Sequence, residues 1–551
     1  MAAVSDNHGA VSAAGGGEPL ASSRSVQADG LPEWLQPLYT ADEMRAADAF
    51  TIEVAGVPSL DLMERAGAGL ARVCADVAGD GPIRIVIGKG NNAGDGLVCA
   101  RLLRAEGREV DVLAVSDPAE LRGDARVNLE RLPGEPPRPF ESAALAGSGL
   151  VCDALLGTGA RGAPREPYAA AIAAINASGA PVVACDIPSG VDASTGETPG
   201  VAVRATATAT FHRSKVGLHV MPGAEHAGEV IEVEIGIDRA APPAQQCGLV
   251  SDAVAGLYPP RKRSGHKFAS GVVLVVGGAR GLTGAPVLAA LAAQRAGAGY
   301  VQVAVPASVR EVVDARLLEQ MCIGLPESDG GHDTASVGAV AELARRAGCV
   351  ALGPGLGRSE RAREFARELA ATLERPLVLD ADGLNAFAGR LGELAGRPAA
   401  TVLTPHEGEL ARLLDTTVDE VRRRRLHSAR LAAAKAQAVC VLKGDDTLVA
   451  LPDGRVAVSA GGSPALATAG TGDVLTGLVA ALVARGMDPF AAACFGVLAH
   501  ARAGAGAAQR LGADHVVARD VIEALPAAIA GPGGPAPRAA VGGPRFPRRL
   551  G

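Results

Sequence analysis

From Leu62 the apolar positions recur at three- or four-residue steps, through Ala66, Leu70, Val73 and Val77. That spacing predicts an amphipathic helix. The pattern then changes. Short runs rich in β-branched residues follow at 83–87, 110–115, 150–152 and 182–185, with helix-like stretches at 97–105 and 168–177. Nearly continuous apolar strands alternating with helices imply a parallel sheet covered on both faces. The same style returns at 272–276, 300–305, 350–352, 377–379 and 439–442, and an apolar helix is predicted over 474–484. No fixed period relates the halves, so the expectation is two α/β domains rather than a repeat.

Glycine, alanine and serine without apolar periodicity predict a flexible tail over 1–30, and proline and glycine predict another over 531–551. A polar, proline-containing seam at 240–247 separates the two patterned stretches. The predicted domains are therefore 31–240 and 247–530.

Composition narrows the function classes. The 551 residues carry 53 Lys and Arg against 60 Asp and Glu, a net charge of -7. With only 3% aromatic residues, this balance argues against a nucleic-acid partner, which needs basic surface and stacking platforms. The nine cysteines contain no CxxC pair and read as buried free thiols. No apolar run approaches the roughly 18 residues of a membrane helix, and the start of the chain is unlike a signal peptide. A soluble cytoplasmic protein with no membrane partner is expected.

Ligands of such sheets bind beyond the carboxyl ends of the strands. Three polar clusters of the first half fall there. Gly88 to Gly96 follows the first strand and opens a helix, whose free N–H groups suit a phosphate. Asp153 ends another strand ahead of Gly157, Thr158 and Gly159, and Asp186 ends a third ahead of Ser189 and Gly190. One such aspartate alone would read as a cap, but the topology gathers all three at one rim. Oxygen donors from Asn92, Asp153 and Ser189 suit a hard cation, leaving Asp186 as an acid or base.

These residues resemble the NAD(P)H-hydrate epimerase family over about 38–237, including Phe211, Lys215, Gly217, Met221, Pro222 and Gly223. The resemblance implies a Rossmann-like three-layer sandwich that interconverts the R and S forms of hydrated NADH and NADPH (NADHX and NADPHX). It implies K⁺ on Asn92, Asp153 and Ser189. It also implies substrate contacts from Asn91, Asn92, Ala93, Gly94, Asp95, Gly157, Thr158, Gly159, Ala160, Arg161, Gly162, Ala163, Tyr168 and Asp186. Ala93 stands where the family usually has glycine, so its methyl is expected to crowd the phosphate approach.

In the second half Gly470, Thr471, Gly472 and Asp473 precede the apolar helix. Small residues at a helix start expose N–H groups to a phosphate, and Asp473 is placed to take a proton from a hydroxyl. No GxxxxGK[ST] occurs, which excludes a P-loop. Lys443, Gly444, Asp445, Asp446 and Thr447 follow one strand, and His406 opens another helix. Together with His266, Lys267, and Thr283 to Pro286, these residues resemble the ribokinase-like superfamily and, within it, the ADP/ATP-dependent NAD(P)H-hydrate dehydratases. The resemblance spans about 249–526. It implies that Ala285, Gly355, His406 and Asp473 contact the hydrated nucleotide. It assigns Lys443, Gly444, Asp445, Asp446, Thr447 and Gly472 to ADP or ATP with Mg²⁺.

The fused order implies a bifunctional repair enzyme of homo-oligomeric state, with Asp186 and Asp473 catalytic. The competing reading is a ribokinase-like small-molecule kinase with a non-catalytic N-terminal binding domain, since Gly470 to Asp473 are common to both.

Overall fold

The apolar runs of the first half become strands Ile83–Ile87, Val110–Ala114, Leu150–Ala154 and Val182–Cys185, joined by Ala207–Phe211 and Glu229–Val233. All pairings in this sheet are parallel. Ile83–Ile87 lies between Val110–Ala114 and Leu150–Ala154, so the chain winds outward from it in both directions. That reversal is the point at which a doubly wound sheet opens a crevice for a ligand. Ile83, Ile85 and Ile87 face one apolar core and Val86 the other, giving three layers.

The second sheet is built on Val272–Val276, flanked by Tyr300–Pro306 on one side and Cys349–Leu352 on the other. Parallel strands Leu377–Leu379, Thr401–Leu403 and Val439–Leu442 extend it, followed by the antiparallel hairpin Leu448–Ala450 and Val456–Val458. Val273 and Val275 face one core, while Leu274 and Val276 face the other.

This computed structural model describes residues 30–531, except Asp80, Lys262 and Ala460, together with 548–550. The expected tails lie mostly outside the described residues. Arg548–Leu550, however, adds as a parallel edge strand to Glu229–Val233, where a solvated tail was expected.

The domain seam also differs from expectation. Leu35–Leu38 pairs antiparallel with Cys247–Val250 and so belongs to the second sheet. Trp34 packs on Phe490 with ring centroids 5.6 Å apart. The chain enters the first domain only at Tyr39, which bridges to Lys215.

A further difference concerns Pro489–Leu511, a helix of 23 residues long and apolar enough by composition to cross a membrane. Of its most apolar window, 78% is buried inside the protein, against the helices Thr471–Ala484 and Ala518–Ala530. Its apolarity serves the core. All nine cysteines are buried and free.

Candidate active sites

At the first switch point the helix begins at Asn91, directly after a short turn, and runs to Ala105. A Cβ on Gly88 would come within 2.3 Å of the Leu155 carbonyl, and one on Gly157 within 2.4 Å of Asn92 Oδ1. Glycine at both positions lets the two loops close on each other. Between them lies a cavity of about 450 Å³, smaller than the one of about 630 Å³ in the second domain. The smaller cavity is lined by Asn91, Asn92, Gly157, Thr158, Gly159, Ala160 and Tyr168. The Tyr168 hydroxyl is fixed 2.8 Å from Ser116 Oγ.

The helix start at Asn91 changes the expected roles of Ala93, Gly94 and Asp95. Ala93 is fully buried, its methyl is part of the core, and its N–H donates to the Gly90 carbonyl. Its side chain does not crowd the cavity. Gly94 packs on Met63, where a Cβ would meet Sδ at 2.5 Å, and Asp95 is buried. On the other loop Arg161, Gly162 and Ala163 are exposed and outside the cavity lining, with Arg161 paired to Asp42 at 3.1 Å.

Asp186 holds a left-handed backbone conformation, φ 66°, at the end of its strand. Its Oδ1 accepts from Lys215 Nζ (2.5 Å), Phe211 N (3.1 Å) and Thr210 Oγ1 (3.2 Å). Lys215 is completely buried and also donates to Thr210 Oγ1 and the Phe211 carbonyl. Two more carboxylates share this ammonium. Burial, with Asp186 adding and Lys215 opposing, pushes Asp48 up to about 6. Burial, with Asp186 and Asp48 adding, holds Asp95 well above the usual carboxylate range. Asp48 also lines the cavity. Sequence reasoning missed Asp48, Ser116 and the role of Lys215, because no local pattern links them to Asp186.

Asn92, Asp153 and Ser189 do come together. Asn92 Nδ2 donates to the carbonyls of Cys185 (2.8 Å) and Leu156 (3.1 Å). Asp153 accepts from Ser189 N (2.8 Å), Ser189 Oγ (2.7 Å) and Leu155 N (3.2 Å). These partners are all neutral, and burial raises Asp153 to about 6. An oxygen-only donor set around one uncompensated buried carboxylate fits a hard cation.

In the second domain Asp473 lies in the first turn of Thr471–Ala484, behind Gly470 at φ 89°. A Cβ on Gly470 would meet Leu288 at 2.6 Å. Burial, reinforced by Asp380, Glu409 and Asp382 and opposed by Lys443, raises Asp473 to about 7. Lys443 Nζ contacts Asp380 Oδ1 at 3.1 Å and Glu409 Oε2 at 3.8 Å. Burial works against the charge on Lys443, but Asp380 and Glu409 outweigh it and raise its pKa. Thr476 Oγ1 donates to Asp380 Oδ2 at 2.6 Å. Asp380 is thus the hub of the site, a role its position after a strand did not disclose.

Lys443, Gly444, Asp445, Thr447 and Gly472 line the cavity of about 630 Å³. Asp446 does not. It is buried beneath the loop, where Arg425 Nε and the Met221 N–H meet its Oδ2 at 3.1 and 2.8 Å. It holds the loop from below instead of facing a nucleotide. His406 caps the helix Glu407–Leu414, its Nδ1 accepting from Gly408 N (2.9 Å) and Glu409 N (3.3 Å). Burial, aided by Lys443 and Arg412, lowers its pKa and keeps it neutral, which leaves Nε2 to carry the proton. Gly355 at φ 64° packs against Ala285, so these two expected substrate contacts are neighbours.

The fold and its two clefts define a two-domain α/β enzyme, a doubly wound parallel sandwich joined to a second α/β domain built on a larger mixed sheet. Residues 59–217 match the YjeF-related protein N-terminus, and residues 273–527 match the NAD(P)H-hydrate dehydratase family. The bifunctional NAD(P)H-hydrate repair enzyme of Salinibacter ruber is 42% identical over 529 residues, covering 89% of this chain and 95% of its own. That of Moorella thermoacetica is 40% identical over 507 residues, covering 89% and 96%. The ADP/ATP-dependent NAD(P)H-hydrate dehydratase from Bacillus subtilis, co-crystallised with ATP and Mg²⁺, is 29% identical, with a TM-score of 0.44 over 50% of this chain and 94% of that one. The chain belongs to the family of bifunctional NAD(P)H-hydrate repair enzymes and carries both an epimerase and a dehydratase domain.

Proposed function

We propose that the first cleft exchanges the R and S configurations of NADHX and NADPHX through Asp186, with K⁺ held by Asn92, Asp153 and Ser189. The inverted carbon bears a hydroxyl beside the ring nitrogen, so it exchanges through an iminium or ring-opened species. Asp186 gives a proton to the departing oxygen and recovers it from the returning one. Lys215 holds Asp186 in place and tempers the repulsion from Asp48 and Asp95. Bound K⁺ supplies a positive charge that fixes the loops carrying Asn92 and Ser189.

The second cleft removes water from the S form with ADP or ATP as phosphoryl donor. Asp473 accepts the proton of the substrate hydroxyl as that oxygen attacks the terminal phosphorus. The oxygen then leaves as phosphate, expelled by the ring nitrogen lone pair, and loss of a ring proton restores the dihydronicotinamide. Lys443 and the amides at 470–472 counter charge on the moving phosphoryl group. Asp445, which lines that cavity, would help hold Mg²⁺, which would offset the charge of the nucleotide phosphates. His406, Ala285 and Gly355 hold the hydrated ring. The protein works in the cytoplasm as a homo-oligomer.

The observation that best supports the dehydratase reading is Asp473 itself, a carboxylate raised to about 7 at a helix start beside the cavity. The test is to give pure protein a mixture of R and S hydrates, with and without ADP and Mg²⁺, and to follow reduced-nicotinamide absorbance. Complete recovery requires both activities. Recovery that stops at the S fraction removes the epimerase assignment, and accumulation of a phosphorylated product removes the dehydratase assignment in favour of a kinase.

A further inference from the structure

A third cavity, of about 310 Å³, opens beside the second domain's strand ends and is lined by five arginines, Arg358, Arg363, Arg367, Arg390 and Arg412, with Glu360 and Asn385. Three carboxylates answer these five charges. Glu360 bridges Arg363 (3.3 Å) and Arg367 (2.9 Å), Asp382 meets Arg358 (3.1 Å), and Glu393 meets Arg390 (2.6 Å). Among the described residues Arg412 has only a neutral acceptor, Asn385 Oδ1 at 2.9 Å. The cavity is therefore cationic, with planar donors of the kind that grip a phosphate from two sides.

Its position ties it to the dehydratase cleft. Asp382 links the two. Its Oδ2 accepts the Gly357 N–H at 3.0 Å, its Oδ1 meets Arg358, and its charge contributes to the raised pKa of Asp473. Gly355 and Arg358 lie on the same loop. Arg412 follows His406 by six residues along one helix, roughly 9 Å of rise. A dinucleotide with its hydrated ring between Gly355, His406 and Asp473 has a second, phosphate-bearing end to place, and this cavity is adjacent.

We propose that the arginine cavity binds a phosphomonoester dianion, the 2′-phosphate of NADPHX, and so sets the dehydratase to favour NADPHX over NADHX. This rests on the dehydratase reading above. Free inorganic phosphate offers the same chemistry, and the experiment separates the two sources.

The full-length protein and its Arg363→Ser/Arg412→Ser variant are titrated calorimetrically with 2′,5′-ADP, 5′-AMP and inorganic phosphate. Their kcat/KM values for NADPHX and NADHX are then compared. Each lost charge-assisted contact costs roughly tenfold or more in affinity. The expected result is 2′,5′-ADP binding that weakens at least tenfold in the variant, and a NADPHX-to-NADHX preference that falls by a similar factor through KM. Equal 2′,5′-ADP binding by both proteins overturns the proposal, as does an unchanged preference. Phosphate binding that is lost in the variant without any change in preference also overturns it, assigning the cavity to a free anion. If the wild type dehydrates neither hydrate yet loses 2′,5′-ADP binding in the variant, the dehydratase reading fails while the phosphate site stands.

Discussion

The main-chain N–H of Met221, in the epimerase domain, donates a 2.8 Å hydrogen bond to Asp446 Oδ2, in the 443–447 loop of the dehydratase domain. Arg425, buried on the far side, contacts the same carboxylate and also the carbonyl of Lys443. Val216 and Val220 lie in the second domain's core cluster, so the contact belongs to a packed junction. Asp446→Ala leaves Arg425 buried without this partner. Arg425 keeps Glu407 at 2.7 Å, so a stability loss of about 1–3 kcal/mol is expected, together with a rise in KM for ADP that exceeds the fall in kcat. Chemical denaturation and steady-state kinetics check both.

Asp473 must be ionised to accept a proton, and its pKa is about 7. Dehydration kcat/KM therefore rises by about tenfold per pH unit below this value and levels off above it. Asp473→Asn abolishes dehydration and leaves epimerisation intact. A pH–rate profile of each activity, measured on one preparation, checks this.

Lys215→Met removes the ammonium shared by Asp186, Asp48 and Asp95. Without it Asp48 and Asp95 favour their protonated forms, and the pH dependence of epimerisation that runs through Asp48, which lines the cavity, moves upward. Breaking the buried pair costs about 3–5 kcal/mol of stability. Asp186→Asn abolishes R-to-S exchange and, by leaving the buried Lys215 ammonium without its charged partner, lowers stability as well; NMR of the hydrates on the folded variant reads the exchange.

Burial raises Asp153 in the folded protein to about 6, above the ordinary range of an aspartate. Its contribution to stability is full below the unfolded pKa and is lost as pH rises through the folded value. A bound cation reverses this penalty on the ionised form. K⁺ should therefore raise the thermal midpoint at pH 7.5 and lose most of its effect near pH 4.5. Thermal scans with K⁺ against tetramethylammonium at equal ionic strength test the assignment.

Ala93→Gly tests the helical placement of that residue. The methyl is buried in the core, so its removal costs about 0.5–1 kcal/mol in helix propensity, plus lost packing, while the epimerase rate stays within twofold. A several-fold acceleration would instead restore the crowding first expected of Ala93.

The strands with uninterrupted aliphatic runs were legible at almost their true ends, as with Ile83–Ile87, Val272–Val276 and Val439–Leu442. Ala207–Phe211, reading ATATF, was not, because its alternating threonines are buried and Thr208 satisfies its hydroxyl on the Ala227 carbonyl. Leu35–Leu38 was assigned to the wrong domain, since a four-residue strand carries no sign of which sheet edge will accept it. The glycine-rich loops and the aspartates at strand ends could be read directly, because parallel topology gathers such positions on one rim.

Sequence alone determined the two α/β domains and placed Asp186 after a strand and Asp473 at a helix start, since periodicity and strand-end placement are local properties. Tertiary structure decided the partners: Lys215, Asp48 and Asp95 around Asp186, Asp380 and Glu409 around Lys443, and Asp446 turned inward to the other domain. Burial and electrostatic coupling depend on distance in space, and residues 29 or 63 positions apart, as in the Lys215–Asp186 and Lys443–Asp380 pairs, meet only after the sheets have formed.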